Sequence, residues 1–74
     1  DIDISPNPVR DKFNIKTEPT LVSVMIYDLH GRMLLDRKTV NGEFIQVGHF
    51  PSGIYLLSIQ TSDGIKRNMK FVKD

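Results

Sequence analysis

The chain has 74 residues, with no Cys, no Trp and no Ala, and ten Lys and Arg against nine Asp and Glu for a net charge of +1. That length supports one small domain with a thin core. Zero Cys excludes a disulfide framework, a zinc–thiolate site and a cysteine nucleophile, and the interleaved charges lack the basic face of a nucleic-acid binder.

Ile and Val together number 14 while Ala, the best helix former, is missing; β-branched side chains favour the pleated sheet. An all-β fold is expected. Ile2 and Ile4 alternate with polar neighbours in a first strand, ended by Ser5-Pro6-Asn7-Pro8. Its two prolines cannot donate to a ladder, so the segment reads as an edge crossover. Phe13 and Ile15 mark a second strand, ended at Glu18-Pro19.

Leu21 to Asp28 is the strongest strand, with Val22, Val24 and Ile26 on one face and Ser23, Met25 and Tyr27 on the other. Large residues on both faces predict a central position. Asp28-Leu29-His30-Gly31 reads as a hairpin loop with Gly31 in the left-handed region. Met33 to Val40 is the fourth strand, and Asn41-Gly42 then predicts a type I′ hairpin turn into a fifth, Glu43 to Val47. Pro51 and Gly53 shape the next connection. Ile54 to Gln60 is the sixth strand, with Tyr55, Leu57 and Ile59 on one face; Thr61-Ser62-Asp63-Gly64 turns it back into the seventh, Lys66 to Val72. Seven short antiparallel strands make a compact immunoglobulin-like β-sandwich.

Chemistry is sparse. His30 and His49 sit in turns with no metal-ligand spacing around them, and Asp1 and Asp3 open no calcium loop. No serine lies in a nucleophile elbow. Asp36 and Glu43, on either side of the expected hairpin, are expected to face water rather than a glycosidase cleft. Tyr27 and Tyr55 are read as core residues with hydroxyls at the rim, the alternative being a carbohydrate platform. No catalytic, cofactor-binding or metal residue is assigned, and an enzyme is not expected. Lysines along Ile65 to Asp74 read as guards of a solvated edge strand. No apolar run approaches the roughly 20 residues of a membrane-spanning helix. Asp1 follows no basic and apolar signal-peptide regions, so the chain is expected to be a domain excised from a larger protein.

Four blocks carry a resemblance. Ser5-Pro6-Asn7-Pro8-Val9, followed by Asp11-Lys12-Phe13 and Ile15, resembles the opening of the type IX secretion C-terminal sorting domains of type A, the Por secretion tails. Val24-Met25-Ile26-Tyr27-Asp28-Leu29-His30-Gly31-Arg32 is similar to their central hairpin; Phe50-Pro51-Ser52-Gly53-Ile54-Tyr55-Leu56-Leu57 and Lys70-Phe71-Val72-Lys73 are similar to their later blocks, in order. Phe50 stands where Leu is usual, and Asp74 follows the final lysine where members commonly stop at or just past a basic residue.

The resemblance covers residues 1–74 and implies a single sorting domain at the end of an exported protein of Bacteroidota. Such a domain directs its upstream cargo through the outer-membrane secretion translocon, with shuttle components. A sortase-like cysteine peptidase then usually removes it. Transit would run through the periplasm, leaving the cargo at the cell surface or outside. The domain would act as a monomer, without nucleic acid. Pro6, Asn7, Pro8, Tyr27, Asp28, Gly31, Gly53 and Tyr55 are the motif residues that would maintain the shape. Lys66, Arg67, Lys70, Phe71, Val72 and Lys73, with the carboxyl terminus, are expected to form the recognition surface, either as the last strand with its lysines or as an exposed sheet edge open to strand addition. A surface adhesion or carbohydrate-binding module, which would expose an aromatic strip on one sheet, and a passive spacer are the alternatives.

Overall fold

The computed structural model describes residues 2–39 and 41–74; Asp1 and Val40, the expected end of the fourth strand, lie outside the described residues. Seven strands follow one another: β1 (Ile2–Ser5), β2 (Lys12–Thr17), β3 (Leu21–Tyr27), β4 (Met33–Lys38), β5 (Phe44–Gln46), β6 (Gly53–Thr61) and β7 (Lys66–Lys73). They form a three-stranded sheet in the order β1-β2-β5 and a four-stranded sheet in the order β4-β3-β6-β7. Every pairing between these strands is antiparallel. The immunoglobulin-like sandwich read from the strand pattern is the architecture that results.

Alternation sets the core. Phe13 and Ile15 of β2, Val24 and Ile26 of β3, Ile45 of β5 and Leu57 and Ile59 of β6 are buried, each separated by a residue that faces out. Tyr55 and Phe71 close one end: their rings stack at 5.5 Å, Phe71 packs on Phe13 at 5.0 Å and Phe50 on Tyr55 at 5.3 Å. The Tyr55 hydroxyl donates to the Pro51 carbonyl, tying the connection before β6 to the strand itself.

Three expectations fail for identifiable reasons. β4 and β5 do not pair; they belong to different sheets, so Asn41-Gly42 is a crossover between layers rather than a hairpin. Gly42 alone has positive φ, +81°, and Asn41 does not, whereas a type I′ turn needs both. Asn41 serves the layers instead: its Oδ1 accepts from the Leu21 N–H at 3.0 Å and its Nδ2 donates to the Thr17 carbonyl at 2.8 Å. Asp36 and Glu43 accordingly do not oppose each other, and Glu43 lies near Arg37 at 3.8 Å.

The second failure is Val22, which is exposed. A register shift between Leu21 and Ser23 turns Leu21 inward in its place. The third is Tyr27. It faces out from the four-stranded sheet, half-buried, with its hydroxyl against the Met25 sulfur at 3.5 Å; only Tyr55 is a core residue.

Candidate recognition surface

β7 is an edge strand, and its alternation divides the expected recognition residues in two. Lys66, Lys70 and Val72 face outward and are exposed. Arg67, Phe71 and Lys73 face inward: Phe71 and Lys73 are buried, and Arg67 is half-buried, with Nη1 out of solvent and without a hydrogen-bond partner. The six residues thus do not form one surface. Phe71 is a core ring, and the Lys73 ammonium donates to the Asp74 carbonyl, 3.1 Å away.

The end of β7 is clamped. Val9, fully buried, forms a parallel bridge to Lys73. Its N–H donates to the Val72 carbonyl at 2.9 Å, and its own carbonyl accepts from the Asp74 N–H at 2.7 Å. Arg10 Nε lies 3.4 Å from the Asp74 carboxylate. The Pro6-Asn7-Pro8 segment leads β1 toward this edge and delivers Val9 to it, which explains why neither proline need donate to a ladder. Asp74 is therefore bound into the fold, its backbone and its carboxylate both having partners.

Those two bonds also fix which β7 groups look outward along the edge. By the period-2 alternation of an antiparallel strand, the backbone N–H and C=O of Lys66, Asn68 and Lys70 point the same way as the Val72 carbonyl. Arg67, inward-facing, and the lysines on either side guard that stretch, as is usual for strand edges that must not pair.

The four-stranded sheet turns an open face outward in four cross-strand rows. Lys38, Ser23, Gln60 and Lys66 form the first, and Asp36, Met25, Ser58 and Asn68 the second. Met33, Tyr27, Leu56 and Lys70 form the third, and Ile54 opposite Val72 the fourth. The first two rows are polar apart from Met25; the last two are apolar apart from Lys70. Outward-facing aromatics on the two sheets are Tyr27 and Phe44 among the described residues, one per sheet, and Phe44 lies beneath the Lys12 ammonium at 4.6 Å.

The β3–β4 loop holds the apolar end of this face in shape. Asp28 Oδ1 accepts from the His30 and Arg32 N–H groups at 2.9 and 3.0 Å, and Oδ2 meets Arg32 Nε at 2.7 Å. The Arg32 N–H foremost, then the Arg32 guanidinium and the His30 N–H, hold the Asp28 carboxyl below the usual aspartate range against some desolvation. Gly31 has φ of +84°, the left-handed angle expected of it, and Gly53, at +152°, opens β6. Across the sheet, the Thr61 hydroxyl and then the Ile65 N–H hold Asp63 below its usual range in the β6–β7 turn. His30 and His49 are both exposed, and among the described residues no cluster of three His, Asp or Glu could hold a metal ion.

Val9, Asn41, Met33 and Ile54 acquire roles that the sequence reading did not assign. A β-branched residue directly after Pro8 was the available signal for Val9; nothing local marks the partners of Asn41 and Ile54, which are remote in sequence.

Residues 3–74 match the family model of the secretion system C-terminal sorting domain. A search of curated proteins finds no match.

Proposed function

The chain belongs to the type IX secretion C-terminal sorting domains, and from that premise we propose that the outward side of β7, Lys66, Lys70 and Val72, is what the secretion machinery reads. As a member of the family, the domain is the C-terminal sorting signal that takes an upstream cargo out to the cell surface or the extracellular space. The family is not known for catalysis, and on our reading the domain performs no reaction. One observation carries the proposal: β7 alternates between inward residues, Arg67, Phe71 and Lys73, and the exposed Lys66, Lys70 and Val72. Arg67, Phe71 and Lys73 then support the surface from beneath, as Gly31, Gly53, Tyr55 and the Pro6-Asn7-Pro8 segment support the strand.

The finer steps follow from the same reading. The signal engages the outer-membrane translocon and its shuttle components from the periplasm, as a folded monomer. A sortase-like cysteine peptidase then removes the domain, and the cargo remains outside. The fold supports this order, because Ile2 pairs with Thr17 at the end of the sandwich opposite the β7 terminus. Cargo attached there leaves the β7 end uncovered.

The test is export. A periplasm-directed fluorescent protein joined to residues 1–74 should reach the outside only in a host with a competent type IX system, and without the tail. Retention in the periplasm of that host overturns the sorting role. Normal export of a Lys66→Glu/Lys70→Glu double variant overturns the assignment to β7.

A further inference from the structure

We infer that the open face of the four-stranded sheet, at the end where β7 terminates, is a docking site for a protein segment that presents an apolar side chain beside a carboxylate. The inference rests on the sorting role proposed above and names the chemistry of its partner. It also places recognition on the sheet face rather than on a sheet edge open to strand addition.

The edge is a poor acceptor. Val9 already occupies the β7 backbone at Val72 and Asp74. The rest of the edge carries Lys66 and Lys70 outward and Arg67 inward, and a strand adding there would have to accommodate all three. The face has the opposite character. Met33, Ile54 and Val72 are 51%, 46% and 47% exposed, and with Tyr27 and Leu56 they form contiguous rows across all four strands. A contiguous apolar patch with a polar border marks an interaction site more often than scattered apolar residues do.

A groove runs along the polar border of this patch, between the second and third rows. Leu56 and Ser58 floor it, with Tyr27 on one side and Asn68 and Lys70 on the other. Within the two apolar rows Lys70 is the one charged group, and among the described residues no carboxylate pairs with it. Groove and cation together select the occupant: an apolar side chain over Leu56, and an acidic one reaching Lys70. Ser58 and Asn68 supply neutral hydrogen-bonding groups at the rim. The cargo joins the chain at the opposite end, beyond Ile2, so the site is free for a component of the secretion machinery during transit.

The test uses the reporter fused to residues 1–74 and the purified 74-residue chain. Ile54→Glu, Val72→Glu and Lys70→Glu should each lower export by about tenfold or more, with Lys70→Gln intermediate and Lys70→Arg near normal. Phe44→Glu and Ile65→Glu, equally exposed but off the face, should export normally. Melting curves accompany every variant; where a glutamate unfolds the domain, Ile54→Gln and Val72→Thr replace it and the same ordering is expected. Sedimentation of the purified chain should show a monomer, and vesicles of phosphatidylglycerol should not bind it.

Undiminished export of folded patch variants overturns the inference while leaving the sorting role standing. A dimer abolished by Ile54→Glu gives the face to a second copy, and vesicle binding abolished by Lys70→Glu gives it to an anionic lipid; either also overturns it. Failure of the unmutated reporter to leave a competent host removes the sorting role itself, and this inference with it.

Discussion

Asn41 does more for the sandwich than its place in a Gly-following turn suggests. One amide satisfies the Leu21 N–H on one layer and the Thr17 carbonyl on the other, and the Gly42 N–H adds a bond to the Ile15 carbonyl at 3.1 Å. Asn41→Ala leaves a backbone donor and an acceptor without these partners. We expect a loss of about 2 kcal/mol, read as a fall in Tm of roughly 10 °C for a domain this size; an unchanged Tm would show that water replaces the amide. Asp28 and Asp63 act within their own turns. Both carboxyls are held below their usual range, so their contribution is complete at neutral pH and is lost as pH falls through the unfolded and then the folded pKa. Tm should therefore drop below about pH 5. In an Asp28→Asn/Asp63→Asn variant it should be lower at pH 7 and less steep below.

Among elements, the two edges of the four-stranded sheet share a device. Val24 pairs with Arg37 on β4 and with Ile59 on β6, and Ile59 pairs with Arg67 on β7. One inward-facing row thus begins and ends in arginine. Arg37 has Glu43 nearby, whereas Arg67 Nη1 is out of solvent with no hydrogen-bond partner. An inward charge on an edge strand costs the monomer something and discourages strand pairing between molecules. Arg67→Leu is expected to keep or raise Tm and to produce concentration-dependent association in sedimentation, while Arg67→Lys stays monomeric. A monomeric leucine variant would mean that the lysines alone protect the edge.

At the scale of the molecule, the domain is tied from its first connection to its last residue. Val9 and Arg10 hold Asp74 and the end of β7, and Phe71 joins Phe13 of the other sheet to Tyr55 of its own. Removing residues 70–74 takes out a core ring and the clamp together. Loss of a buried Phe side chain alone costs about 3–5 kcal/mol, which is comparable to the whole stability of a domain this small. The truncated chain should show no cooperative thermal transition by circular dichroism. Loss of export in that truncation would then report unfolding, and only outward-facing substitutions can isolate recognition. A truncation that melts cooperatively would show that β1 to β6 hold the core by themselves.

Local chemistry determined a good deal by itself. Alternating apolar residues, turn residues and the absence of Ala were enough for seven strands, their approximate bounds and the hairpins on either side of Gly31 and Gly64, because side-chain period and backbone angles are properties of neighbouring residues. The four ordered motifs were enough for the family. Tertiary structure decided the rest. Whether Asn41-Gly42 joins two strands of one sheet or crosses between two depends on partners 20 and 24 positions away. Which half of Lys66 to Lys73 is surface depends on which face of β7 meets Phe13 and Tyr55. The period-2 pattern separates the two faces of a strand, but only the opposing sheet says which of them is inside.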